Sequence, residues 1–111
     1  MISVEFPTVT DDLLTRMVQK IVEAFHPEKV ILFGSRAWGT PRQDSDVDVF
    51  VIMESDLTPA RRSAEVSLAC RPRGLVVDFL VKTPAEVDHQ LKIGDPFLRR
   101  ILEQGRVLYA R

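Results

Sequence analysis

The run Asp46-Val47-Asp48-Val49-Phe50-Val51-Ile52-Met53 places two acids at alternate positions of an otherwise apolar stretch. No other feature constrains the fold as tightly. Side chains of a strand alternate with period two, so Asp46 and Asp48 project from one face and Val47, Val49 and Val51 from the other. The valine face needs a covering layer. The acidic face needs a reason, because carboxylates in an apolar strand are costly unless something compensates their charge. Two of them about 7 Å apart along a strand repel and raise each other's pKa unless a cation lies between them.

A third acid, Asp78, sits amid Leu75, Val76, Val77, Phe79 and Leu80, and shares a strand face with Val76 and Leu80. If these two strands are neighbours, Asp46, Asp48 and Asp78 form one three-carboxylate cluster. Mg²⁺ suits such a cluster, since it takes hard oxygen ligands and leaves positions for water and phosphate. A pair of ions would activate an acceptor and steady a triphosphate with its leaving pyrophosphate. Upstream, Leu32-Phe33-Gly34-Ser35-Arg36-Ala37-Trp38-Gly39 supplies the phosphate side. Gly34 allows close backbone approach, Ser35 offers a hydroxyl and an N–H near a helix start, and Arg36 or Arg42 can neutralise phosphate charge.

Two rival motifs fail on spacing. Asp44-x-Asp46-x-Asp48 imitates a calcium loop, but Val49 stands where glycine is needed and Ser55 where a bidentate glutamate is needed. Gly34 and Gly39 have Walker A spacing, but Thr40 replaces its lysine.

The remaining pattern predicts a small mixed α/β (α+β) domain over residues 1–111, with helices packed on a sheet of three to four strands. Thr10-Asp11-Asp12 opens a helix whose stripe is Leu14, Met17, Val18, Ile21, Val22 and Phe25, ended by His26-Pro27. Residues 29–33 form an apolar interior strand. A loop with one helical turn near Ser35 follows, then the acidic strand over residues 46–53. Thr58-Pro59 opens a helix to Cys70, and residues 75–81 form a third strand. Thr83-Pro84 and Asp95-Pro96 open two more helices. Val107-Leu108-Tyr109 reads as an edge strand. The stripe Phe97, Leu98, Ile101 and Leu102 reads as core.

With 15 basic and 16 acidic residues, the net charge of −1 gives no footprint for duplex nucleic acid. The pairs Arg61-Arg62, Arg71/Arg73 and Arg99-Arg100 read as solvated faces or local ion pairs. The single Cys70 fits a reducing cytoplasm and a core position. His26 and His89 lack metal-type partners. No run is long enough to span a bilayer, and no signal peptide is evident, so a cytoplasmic location is expected.

Taken together, Gly34-Ser35, Asp46-Val47-Asp48 and Asp78 resemble the superfamily of DNA polymerase beta and kanamycin nucleotidyltransferase. Within it, the chain resembles the minimal nucleotidyltransferases, the MntA-like antitoxins. The likeness extends to Pro96-Phe97-Leu98 and Gly105-Arg106-Val107-Leu108-Tyr109. It implies a polymerase-beta-like fold, with Asp46 and Asp48 on two Mg²⁺ ions and Asp78 on one, helping to deprotonate the acceptor. Gly34 and Ser35 would hold the triphosphate of ATP. The resemblance further implies transfer of AMP to a tyrosine of a helical HEPN-type toxin, with that partner or a second copy of the chain completing the acceptor site. A contact-only nucleotide-binding module and a small-molecule adenylyltransferase stay as alternatives. Trp38 departs from the basic residue usual in relatives, and either stacks on a base or packs under the loop.

Overall fold

The computed structural model describes residues 9–39 and 46–111. The elements run α1 (Asp11–Phe25), β1 (Lys29–Phe33), α2 (Ser35–Trp38), β2 (Val47–Ile52), α3 (Pro59–Cys70), β3 (Val77–Lys82), α4 (Pro84–Lys92), α5 (Pro96–Gln104) and β4 (Arg106–Ala110). The four strands form one mixed sheet in the order β3-β2-β1-β4. β1 pairs antiparallel with both β2 and β4, while β2 and β3 run parallel and are joined by a crossover through α3. β1, apolar from Val30 to Phe33, is therefore interior, as its composition predicts.

Helices α1, α3, α4 and α5 start where side-chain chemistry satisfies backbone N–H groups that have no partner within the helix. Thr10 Oγ1 accepts from Leu13 N at 3.1 Å. Thr58 caps α3 ahead of Pro59. Thr83 and Glu86 form a reciprocal capping box on α4. Asp95 Oδ1 accepts from Phe97 N and Leu98 N at 3.0 and 3.1 Å, which fixes the first turn of α5. Proline follows three of these caps, where its missing N–H costs nothing.

Period-two alternation divides the core between the sheet's faces. Val47, Val49 and Val51 of β2 pack with Val77, Phe79 and Val81 of β3 against Leu14, Met17, Val18 and Ile21 of α1 and Val66 and Cys70 of α3. On the other face Ile31, Phe33, Phe50 and Ile52 meet Val87 of α4 and Leu98 and Ile101 of α5. Asp48 shares parity with Phe50 and Ile52, so the acidic face is the one that α4 and α5 cover.

Several boundaries differ from the sequence expectation. β3 starts at Val77, because Leu75 N bonds back to Pro72 O in the turn that carries Gly74 at φ 78°, and Val76 is exposed. Asp46 precedes β2 instead of opening it. Leu98 and Ile101 are core, but Phe97 is 52% exposed. Arg62, read as part of a surface pair, is buried. Its Nε donates to Leu57 O at 2.8 Å, and Nη1 donates to Glu86 Oε1 at 2.6 Å, tying α3 to α4.

Candidate active site

The parallel register sets Asp48 directly beside Asp78, and the antiparallel register sets Phe33 opposite Asp48. Strand pairing thus brings two acids separated in sequence onto one face at one end of the sheet. Val47 N donates to Val76 O at 3.1 Å, which holds β2 to β3 at this end. Asp46, one residue before β2, is exposed, Asp48 is half-buried, and Asp78 is exposed on the edge strand.

Asp48 carries the electrostatic signature of the site. Its pKa is pushed up from the ordinary aspartate value, first by burial, then by the negative charges of Asp78 and Asp46. The charges of Asp78 and Asp46 both reach the Asp48 carboxylate. Among the described residues no three His, Cys, Asp or Glu side chains are gathered closely enough to ligate one ion as they stand. The donor set nonetheless suits a hard divalent cation, whose charge would remove the repulsion that keeps the carboxylates apart.

Gly34 joins the phosphate turn to this cluster. It has φ 79° and ψ −155°, a positive-φ extended conformation essentially confined to glycine, and a Cβ there would collide with Asp48 Oδ2 and crowd its Cγ at 3.2 Å. The glycine is needed both for its backbone and for the carboxylate resting on it. Ser35 and Arg36 open α2, where Ala37 N and Trp38 N donate to Gly34 O at 3.0 and 3.1 Å. Both side chains are half-buried. Arg42 and Asp44, considered from the sequence, lie outside the described residues.

Known proteins resemble this chain in sequence and in fold. The model for the polymerase beta nucleotidyltransferase family matches residues 16–111. The chain belongs to that family. A relative from Methanocaldococcus jannaschii, named "Putative protein adenylyltransferase", is 34% identical over 82 residues, which are 74% of this chain and 78% of that one. A solved "putative nucleotidyltransferase" from Sulfolobus solfataricus superposes with a TM-score of 0.64 over 91% of this chain and 80% of that one. At 24% identity, that likeness speaks for the fold. The family membership makes the chain a nucleotidyltransferase enzyme.

Beside the acids and the glycine the structure gathers an aromatic group, of which the sequence had marked Trp38 alone. Trp38 is half-buried and packs against the second core cluster. Its ring centroid is 6.3 Å from that of Phe33, and the Arg100 guanidinium carbon stands 4.5 Å over the indole. Phe97 meets Phe33 edge to face, with centroids 5.8 Å apart. The only sequence signal for this group was Trp38 itself, in the turn that leaves the phosphate motif.

His26, in a left-handed C-cap, and the exposed His89 stay outside the site. Cys70 is buried with its thiol pKa raised by burial, as befits a core residue. Tyr109 packs half-buried on β4, and no described helix is long and apolar enough to cross a membrane.

Proposed function

We propose that the chain transfers AMP from ATP to a hydroxyl of a protein, a tyrosine of a helical HEPN-type partner, in the manner of an antitoxin that silences a toxin. One observation carries the reading: Asp48 lies in register with Asp78 and rests on the Gly34 backbone, so the carboxylates and the phosphate turn form one unit. The naming of the Methanocaldococcus relative as a protein adenylyltransferase supports a protein acceptor.

Asp46, Asp48 and Asp78 would hold Mg²⁺. When bound, the ion supplies positive charge against the triphosphate and the leaving pyrophosphate. Gly34 lets the chain approach the phosphates, while the Ser35 hydroxyl and the Arg36 guanidinium supply donors. Asp78 stands exposed on an edge strand and suits the base that takes the acceptor proton. The acceptor oxygen then bonds to the α-phosphorus, the bond to the bridging oxygen breaks, and pyrophosphate departs. An open edge suits a macromolecular acceptor, because a partner chain can present its hydroxyl there. Catalysis is positioning and charge stabilisation, as in phosphoryl-group chemistry generally.

Incubation with Mg²⁺, α-labelled ATP and a helical HEPN-type protein tests this reading. Label should move to a tyrosine, with an intact-mass gain of one AMP, and Asp78→Asn should lower the transfer by on the order of a hundred- to a thousandfold. Transfer by Asp78→Asn at the wild-type rate would overturn the assignment.

A further inference from the structure

We propose that Phe97, held by Phe33 and flanked by the Trp38–Arg100 stack, forms the shelf on which the base of the bound nucleoside triphosphate stacks. The inference rests on the nucleotidyltransferase reading of the acidic end, and it assigns a purine subsite to residues outside that cluster.

Position comes first. Phe33 is the register partner of Asp48, so its Cα lies about 5 Å from that of the central acid. The Phe97 ring is one step further out, 5.8 Å from Phe33 at 82°. Trp38 closes the same α2 turn that Ser35 opens, with its ring against Phe33. An aromatic surface is therefore continuous with both the phosphate turn and the acids.

Exposure comes second. Leu98 and Ile101 of α5 are buried at 2% and 0%, whereas Phe97 beside them is 52% exposed. An edge-to-face contact leaves at least one face of the Phe97 ring uncovered by Phe33. The backbone that carries the ring is fixed, since Pro96 opens the helix and Asp95 Oδ1 accepts from Phe97 N, and Phe33 packs against the ring itself. A preordered aromatic side chain loses little entropy when a flat ligand settles on it. Arg100, one turn along α5 on the same side, lies on the Trp38 indole. That stack couples α5 to the turn that carries Trp38. Stacking gains with ring area, so purines should bind more tightly than pyrimidines.

Calorimetric titration of the full chain with Mg²⁺ and either ATP or inorganic tripolyphosphate separates base from phosphate. Wild type should bind ATP more tightly than tripolyphosphate by about 5- to 150-fold, the range expected of one stacked base. Phe97→Ala should bring that ratio close to one with tripolyphosphate affinity unchanged. Phe97→Leu keeps an apolar contact on Phe33 but has no flat face, and should behave likewise. Phe97→Tyr should retain the preference. A wild-type ratio in Phe97→Ala and Phe97→Leu would overturn the shelf and leave the transferase reading intact. Wild type binding neither probe would overturn both.

Discussion

At the C-terminal end of β3, Glu86 Oε1 accepts from Thr83 N at 2.8 Å and from the buried Arg62 guanidinium at 2.6 Å. At the N-terminal end of the same strand, Asp78 lies beside Asp48 with Asp46 close by. The two ends shift their carboxylates in opposite directions. Glu86 is held below its ordinary pKa, chiefly by the Thr83 backbone hydrogen bond and then by Arg62, against an opposing desolvation. Asp48 is raised by burial and by two like charges.

The consequences for stability have opposite signs. A lowered folded pKa makes Glu86 stabilising above the ordinary glutamate range, and this is lost as pH falls through the folded value. A raised folded pKa makes the Asp48 contribution greatest below the ordinary aspartate range, and it is lost as pH rises through the folded value. Near neutral pH one end clamps the fold, while the other stores repulsion that a bound cation would relieve. Stability given up at one place for chemistry is a common feature of active sites.

Substitutions can break this contrast. Asp48→Asn and Asp78→Asn should lower nucleotidyl transfer by on the order of a hundred- to a thousandfold, measured as AMP incorporation at saturating ATP. Gly34→Ala should act at both levels. The positive-φ backbone costs about 1–2 kcal/mol with a side chain present, and displacement of Asp48 should lower transfer by more than tenfold. Arg62→Ala should cost about 2–3 kcal/mol in denaturant unfolding, because it removes a buried charge with two partners, while transfer per folded molecule stays near wild type. A matching activity loss in Arg62→Ala would show that the two ends are not separate.

The alternation of β2 was legible because the period of a strand is local, and Asp48-Val49-Phe50-Val51-Ile52 displays it, whereas Asp46 lies one residue before the strand. The capped helix starts at Thr58-Pro59, Thr83-Pro84 and Asp95-Pro96 were legible for the same reason: caps are satisfied within a few residues. The pairing of Asp48 with Asp78 was only conditional, since register between strands is fixed by packing across the α3 crossover. Arg62 was misread because two adjacent arginines look alike in sequence, and its burial depends on Glu86, a residue on a different helix. Phe97 was misread because the stripe with Leu98, Ile101 and Leu102 covers a wide arc, and α5 turns only part of it toward the sheet.

Asp48→Asn should have the smallest effect of these on the apoprotein, in the direction of stability. Removing a half-exposed charge among like charges should raise stability near neutral pH by at most about 1 kcal/mol after solvent screening. Thermal unfolding of wild type and Asp48→Asn, each with and without Mg·ATP, tests the central claim most directly. Without ligand the variant should melt above wild type. With Mg·ATP at about a hundred times its Kd, wild type should gain about 2.7 kcal/mol and melt above the variant, which should gain little. An apo variant less stable than wild type, or equal stabilisation of both by Mg·ATP, would contradict the account.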